Sequence, residues 1–363
     1  IYTLSLHDAL PIWSAEVFFM KIEIYACRFG AGHMKAAEFL QSQLSEYETE
    51  IFDVPKEVFP GVASLIYRVY GNMMKSQSLL LQCFLSLDRN KDKIVPRLDF
   101  LEECFFKWMD KKALPDVFIA SYSMVAYLLS RYKEQRRLNI PLVTCLTDFS
   151  PHTMWINPKT DLYLVPSSFT ADKLILAGVP RTKVLICGLG ENPVVEKKQS
   201  RYLRILVSGG GLGLIPKEKN FYRDLKTCYG GEIRVICGRN KRLYHRLKNA
   251  RIPGIQVYGF VNNMPEHLAW ADVIVGKAGG LSTFEAIQSE TPILYTAPFL
   301  PQEERNAEFI CQNKIGAPLW SPFSFTEYDE EKEKNLNLLR ENMKQIKEEL
   351  HPEDLKAWIE QVA

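Results

Sequence analysis

Short apolar runs recur along this chain, and each leads into a stretch with helical spacing. From Met20 onward, residues 22–26 read as a strand, 33–44 as a helix and 49–53 as a second strand. The alternation resumes with a strand at 116–120, a helix at 124–136 and a strand at 142–146. Short strands at 162–165 and 184–187 flank a helix near 171–177. Residues 188–200 read as a linker. A second series then places strands at 203–207, 233–237, 255–258, 273–275 and 293–295, with helices in the gaps. Apolar strands that alternate with helices predict parallel sheets covered on both faces. Two such series predict an α/β chain with two doubly wound, Rossmann-like domains facing each other across a cleft. The first spans 20–190 and the second 200–325, and 326–363 is a charged helical tail.

Two stretches break the pattern. Residues 56–112 are rich in Phe, Leu, Met, Tyr and Trp at helix-like spacing, interspersed with Arg68, Lys75, Arg89, Lys91, Lys93 and Arg97. Core helices of the first domain are one reading. Monotopic attachment to a membrane, with the basic fringe meeting anionic headgroups, is the other, and the aromatic and Met content of 59–109 favours it. Residues 1–19 lack the basic start and small-residue cleavage site of a signal peptide. Within them LSLHDALPI looks like translated sequencing adapter, so 1–19 read as a non-native extension, Met20 as the start, and His7 and Asp8 are set aside.

Composition changes this picture little. The 363 residues are 47% hydrophobic and 24% charged, ordinary for a globular protein of two domains. A formal net charge of +2 gives no reason to expect nucleic acid as a partner. The eight cysteines include no C-x-x-C pair, so neither a zinc site nor a disulfide framework is expected, and a reducing, cytosolic compartment fits them. No apolar run approaches the roughly 20 residues that a membrane-spanning helix needs.

The chemistry concentrates at strand ends. After the strand at 273–275 comes Gly276-Lys277-Ala278-Gly279-Gly280, and a helix opens through Ser282 and Thr283 with Glu285 in its first turn. Glycines let a phosphate approach the backbone, and free N–H groups at a helix start attract anions. A carboxylate one turn in is placed to accept hydrogen bonds from ribose hydroxyls, so this stretch reads as a nucleotide-diphosphate site. Ser208-Gly209-Gly210-Gly211-Leu212-Gly213 follows the first strand of the second series and reads either as a second diphosphate-approaching loop or as a tight turn. Phe29-Gly30-Ala31-Gly32-His33 follows the first strand of the chain. His33 is an exposed histidine at a structural turn or a base for an alcohol proton. Asp148 ends the strand Leu142–Leu146 region beside Thr147, on the ligand side of a parallel sheet. It reads as a turn cap, as the partner that orients His33, as a holder of an acceptor hydroxyl, or as the base itself. His152 and Trp155 follow.

Together these motifs resemble glycosyltransferase family 28, in particular the diacylglycerol glycosyltransferases, which include bacterial processive glucosyltransferases and plant monogalactosyldiacylglycerol synthases. The matching pieces are FGAGHMKAA (29–37), NIPLVTCLTDFSPHTMW (139–155), VICGRNKRLYHRLK (235–248), GFVNNMPE (259–266), KAGGLSTFEA (277–286) and QEERNA (302–307). They occur in family order between about residues 20 and 320.

The resemblance implies a GT-B fold, with the C-terminal helices crossing back to the first domain. It implies an inverting, metal-independent transfer of a hexose from UDP-glucose or UDP-galactose to diacylglycerol, without a cofactor. It puts the uracil near Arg239 and Phe260, the ribose on Glu285, and the diphosphate near Gly210, Gly211, Gly279, Gly280, Ser282 and Thr283. Gln302, Glu303 and Asn306 are expected on the donor-sugar side, and His33, Asp148, Gly32, His152 and Trp155 on the acceptor side. Partners would be the UDP-sugar, diacylglycerol and an anionic membrane surface, with the protein attached peripherally to the inner face of the cell membrane. The sequence departs from the family at Pro301, where a glycine is usual, at Ser121-Tyr122-Ser123, where a His-containing motif is common, and in a tail that looks short. The alternatives are a UDP-sugar 2-epimerase-like enzyme, a UDP-N-acetylglucosamine transferase acting on another lipid acceptor, and a non-catalytic UDP-sugar-binding protein.

Overall fold

A computed structural model describes residues 20–30, 32–76, 98–190, 203–320 and 330–362. The expected N-terminal extension, most of the expected linker and the middle of the apolar segment (77–97) lie outside the described residues. Two six-stranded sheets form, both wholly parallel. The first has the order β2-β1-β3-β4-β5-β6, with β1 Lys21–Ala26, β2 Glu48–Asp53, β3 Val117–Ala120, β4 Leu142–Cys145, β5 Leu162–Val165 and β6 Val184–Ile186. The second has the order β12-β11-β10-β7-β8-β9, with β7 Arg204–Ser208, β8 Glu232–Ile236, β9 Ile255–Tyr258, β10 Val273–Gly276, β11 Ile293–Tyr295 and β12 Gly316–Pro318.

Burial explains why these runs are strands. Every residue of β3, β4, β5, β7 and β10 is buried, as a central parallel strand covered by helices on both faces requires. The edge strands β2, β9 and β12 are only partly covered. The strand β12 has no counterpart in the sequence reading, because Gly316-Ala317-Pro318 carries no apolar signature.

The helices that matter for the site are α1 Gly32–Gln43, α2 Val54–Val58, α3 Ala63–Ser76, α4 Asp99–Met109, α5 Ser123–Arg136, α6 Ser168–Leu176, α7 Lys219–Tyr229, α8 Lys241–Ala250, α9 Met264–Trp270, α10 Gly280–Gln288 and α11 Pro301–Gln312. The two sheets share an apolar joint. Phe149, beyond β4, stacks on Phe309 of α11 with centroids 4.0 Å apart, and Phe169 of α6 meets the same ring edge-on. The last two helices, α12 Glu330–Glu348 and α13 Glu353–Val362, link the two halves. The first makes ion pairs on the second-sheet side, Lys347 to Glu290 at 2.9 Å and Arg340 to Asp272 at 3.6 Å. The second and the loop before it reach the first sheet's side: His351 N donates to Ile186 O of β6, and Tyr47 and Glu46, just beyond α1, meet Glu360 and Lys356. No helix among the described residues is long and apolar enough to cross a membrane.

Helix α3 settles how the described part of the apolar segment is used. One face carries Tyr70, Met73 and Met74, which pack with Leu212, Leu214, Phe299 and Leu300 of the second half. The other face leaves Leu65 and Val69, with Val62 just before the helix, between 47% and 54% exposed, and Phe100 of α4 is 73% exposed beside Phe59. The helix is therefore core on one side and an uncovered apolar stripe on the other.

Candidate active site

Parallel strands deliver their C-terminal ends to the cleft, and the chemistry lies there. β1 runs out through Cys27 to Gly30, whose φ of +90° suits glycine, and then into α1. His33 sits in the first turn of α1, half-buried. Its Nδ1 lies 3.0 Å from the carbonyl oxygen of Ser121, at the end of β3, and 2.9 Å from Thr147 Oγ1, beyond β4. Ser121 Oγ donates to the His33 carbonyl at 2.9 Å, and the Tyr122 ring meets the imidazole edge-on at 4.7 Å. Burial pushes the imidazole down to about 4, against a smaller upward pull from the Ser121 carbonyl. His33 is thus neutral across the physiological range. Asp148 follows Thr147. Burial raises its carboxyl above the usual range, opposed by Asn306, Lys277 and Arg305.

The second half meets this group through α10. β10 ends at Gly276, and Gly279 precedes the helix with no side-chain cap, which leaves the helix start for backbone N–H groups to accept an anion. Gly280 is obligatory: a Cβ there would lie 2.0 Å from the Thr147 carbonyl oxygen and 3.1 Å from Asp148 Oδ1. A Cβ on Gly32 would lie 3.5 Å from Leu281 Cβ, so the starts of α1 and α10 face each other across the cleft. The loop after β7 folds on itself, with Gly213 N donating to Gly210 O and Leu214 N to Gly209 O. Gly210 has φ +68° and approaches Ser282 Oγ. Gly211 O accepts from Arg239 N, and the Arg239 guanidinium lies 4.8 Å over the half-exposed Phe260 ring. Gly210, Gly211, Gly279, Gly280 and Ser282 therefore gather at one end of the second sheet, with the Arg239–Phe260 pair attached through the loop.

Several expected contacts are placed differently. Thr283 is buried, and its Oγ1 has no hydrogen-bond partner, so its side chain faces the core and only its neighbour Ser282 lines the cleft. Trp155 is buried among Leu146, Tyr163, Ala171 and Leu174 and cannot touch an acceptor there. His152 is half-buried, with its ring 6.0 Å from that indole. Both oxygens of Glu303 are engaged: Oε1 holds Lys277 Nζ at 2.9 Å, and Oε2 accepts from Phe299 N and Leu300 N at the start of α11. Asn306 is a strut between the halves, accepting from Phe149 N and donating to Ala278 O, each at 3.1 Å. Gln302 alone of that trio is exposed. Glu285 Oε1 forms an ion pair with Lys35 of α1 at 2.7 Å across the cleft. The sequence reading had no role for Lys35, Thr147 or Lys277.

Residues 33–190 match the family model described as monogalactosyldiacylglycerol synthase. A processive diacylglycerol beta-glucosyltransferase of Staphylococcus epidermidis is 26% identical over 328 residues, covering 82% of this chain and 80% of that protein. The chain is thus similar to the diacylglycerol glycosyltransferases. The corresponding Staphylococcus aureus protein is 24% identical over 324 residues, with the same 82% and 80% coverage. Among solved structures, MurG of Acinetobacter baumannii matches 94% of this chain and 99% of its own, with TM-score 0.54 and 14% identity. Arabidopsis thaliana UGT89C1, solved with UDP-L-rhamnose, matches 95% and 99% with TM-score 0.57 and 11% identity. These likenesses, with the two parallel sheets, establish the GT-B fold.

Proposed function

We propose that this chain is an inverting glycosyltransferase that moves a hexose from a UDP-sugar to the hydroxyl of diacylglycerol at a membrane surface. One observation carries the reading: a neutral histidine and a carboxylate at the strand ends of the first sheet stand opposite the uncapped start of α10 and the glycine loop of the second. Proton-accepting groups and anion-accepting groups thus meet across one cleft. The relatives' named activity supplies the acceptor class.

The step is a single displacement. The acceptor oxygen attacks the anomeric carbon, the bond from that carbon to the UDP oxygen breaks, and the hydroxyl proton passes to His33 Nε2 or to Asp148. UDP departs with the bonding electron pair. Its growing negative charge is met by the N–H groups at the start of α10 and by the loop at Gly210-Gly211, with no step assigned to a metal. Arg239 and Phe260 offer a cation and a ring face to the uracil, and Glu285 takes the ribose once Lys35 lets go. The exposed stripe on α3 (Leu65, Val69), with Val62 just before it and Phe100, rests on the bilayer at the inner face of the cell membrane and delivers the lipid beside the donor loop that the same helix packs against.

The test incubates the chain starting at Met20 with diacylglycerol vesicles containing anionic lipid, separately with UDP-glucose and UDP-galactose, without added metal. Glycolipid formed from one donor is the expected result and identifies the sugar. Epimerised or hydrolysed UDP-sugar without glycolipid would overturn the transfer reading.

A further inference from the structure

The hydrogen bonds around His33 fix more than its location. A carbonyl oxygen only accepts, so the 3.0 Å contact with the Ser121 carbonyl requires a proton on Nδ1. Nε2 then carries the lone pair. Thr147 Oγ1, 2.9 Å from the same Nδ1, is a second oxygen within reach of that N–H. Thr147 is itself buried, and its carbonyl is backed by Gly280, so its hydroxyl is held in place. Ser121 is likewise fixed, since its own hydroxyl returns a bond to the His33 carbonyl. The sequence departs from its family at Ser121-Tyr122-Ser123, and this is the segment that supplies the carbonyl and the ring against the imidazole.

We propose that Thr147 is a positioning residue: its hydroxyl, together with the Ser121 carbonyl, holds His33 as the Nδ1–H tautomer and aims Nε2 at the acceptor hydroxyl. This rests on the reading of His33 as the base. In many histidine bases a carboxylate grips the far nitrogen and stabilises the imidazolium. Here two neutral oxygens do the gripping. They set the tautomer and the ring orientation, and the Ser121 carbonyl's favourable pull on a charged ring is smaller than the cost of burial. The charged and titratable groups facing the imidazole are few. Among the described residues the titratable side chain in contact with the ring is Tyr122, just before α5.

The test uses the full chain with Thr147→Val and Thr147→Ser, read by imidazole ¹⁵N NMR and by kinetics on diacylglycerol vesicles. In the parent protein the His33 nitrogens are expected to report the Nδ1–H tautomer. Thr147→Val is expected to lower kcat about tenfold or more while leaving KM for the UDP-sugar within about twofold, as loss of an orienting contact alone would do. Its ring signals should show tautomer exchange. Thr147→Ser, which keeps the hydroxyl, should restore both the tautomer and kcat. An Nε2–H tautomer in the parent protein, or an unchanged kcat and tautomer in Thr147→Val, would overturn the proposal. Misfolding of Thr147→Val would show as a lost UDP-sugar KM, and Thr147→Ser then decides alone: a shifted tautomer there refutes the hydroxyl's role. His33→Asn separates the two layers. Full activity in that variant removes His33 as base, while the tautomer read in the parent protein and in Thr147→Val still reports whether Thr147 holds the ring.

Discussion

The ion pair between Lys35 and Glu285 makes a quantitative demand. If Glu285 binds the ribose, the ligand must first displace Lys35, so removing that lysine should tighten nucleoside binding. The pair closes at 2.7 Å with Lys35 47% and Glu285 21% exposed, so it is a partly solvated bridge. Such pairs contribute about 0.2–1 kcal/mol. The gain available to Lys35→Met is therefore bounded at roughly fivefold in Kd, since about 1.4 kcal/mol corresponds to tenfold. Uridine is the ligand of choice, because it carries the ribose without the diphosphate charge that would confound a salt series. Titrated by NMR at about 50 and about 500 mM salt, the parent protein should bind uridine more tightly at the higher salt, where the Debye length shrinks to a few ångströms. Lys35→Met should already be tight at low salt and change little. Glu285→Gln should weaken binding at both. The reasoning fails if Lys35→Met binds uridine no better than the parent protein, or worse, because Lys35 would then be part of the site.

Three further outcomes are expected. Gly280→Ala would put a methyl group 2.0 Å from the Thr147 carbonyl oxygen, so the loop that holds His33 must shift, and kcat/KM should fall about 100-fold in the vesicle assay. The folded state holds His33 at about 4 against an ordinary 6.5, so as pH falls between those values the unfolded chain gains a proton that the folded chain refuses. Stability should therefore drop by up to about 3 kcal/mol from this group as pH falls from 6.5 to 4, at about 1.36 kcal/mol per pH unit, and urea titrations of His33→Asn should lack that part of the slope. Replacing Val62, Leu65 and Val69 together by Ser should weaken binding to anionic vesicles by one to two orders of magnitude in a sedimentation assay, at about 1 kcal/mol per half-exposed side chain, while uridine binding is unchanged.

The fold was legible because buried parallel strands announce themselves as apolar runs, and because glycines at their ends mark the cleft. What was not legible was which way neighbouring side chains point. On α10, Ser282 and Glu285 are three residues apart and share the cleft face, while Thr283, Phe284 and Ile287 turn to the core. Helical spacing alone could have separated Ser282 from Thr283. The same holds on α11. Glu303, Asn306, Ala307 and Ile310 form the buried face, so the two polar residues among them had to find partners inside, and they did so with Lys277, two backbone N–H groups, Phe149 and Ala278. Lys35 and Thr147 escaped for a different reason. Their partners lie 250 and 114 positions away in sequence, and no local pattern encodes such a meeting.

If His33 is the base and the start of α10 receives the leaving group, these meetings join the two mechanically. Thr147 Oγ1 lies within reach of the His33 Nδ1–H, and the Thr147 carbonyl oxygen lies where a side chain on Gly280 at the start of α10 would sit. The orientation of the base therefore depends on how closely the two halves approach. The electrostatics point the same way. The first turns of α1 and α10 confront each other, and helix starts carry partial positive charge. An imidazolium is disfavoured there, and an anion is favoured. Burial keeps a resting His33 unprotonated. Under the proposed mechanism, its protonation would become tolerable as a departing diphosphate develops negative charge between the same two helix starts. If His33 is the base, proton uptake and leaving-group departure would in this way be coupled through the cleft itself, without a carboxylate on the far nitrogen of the histidine.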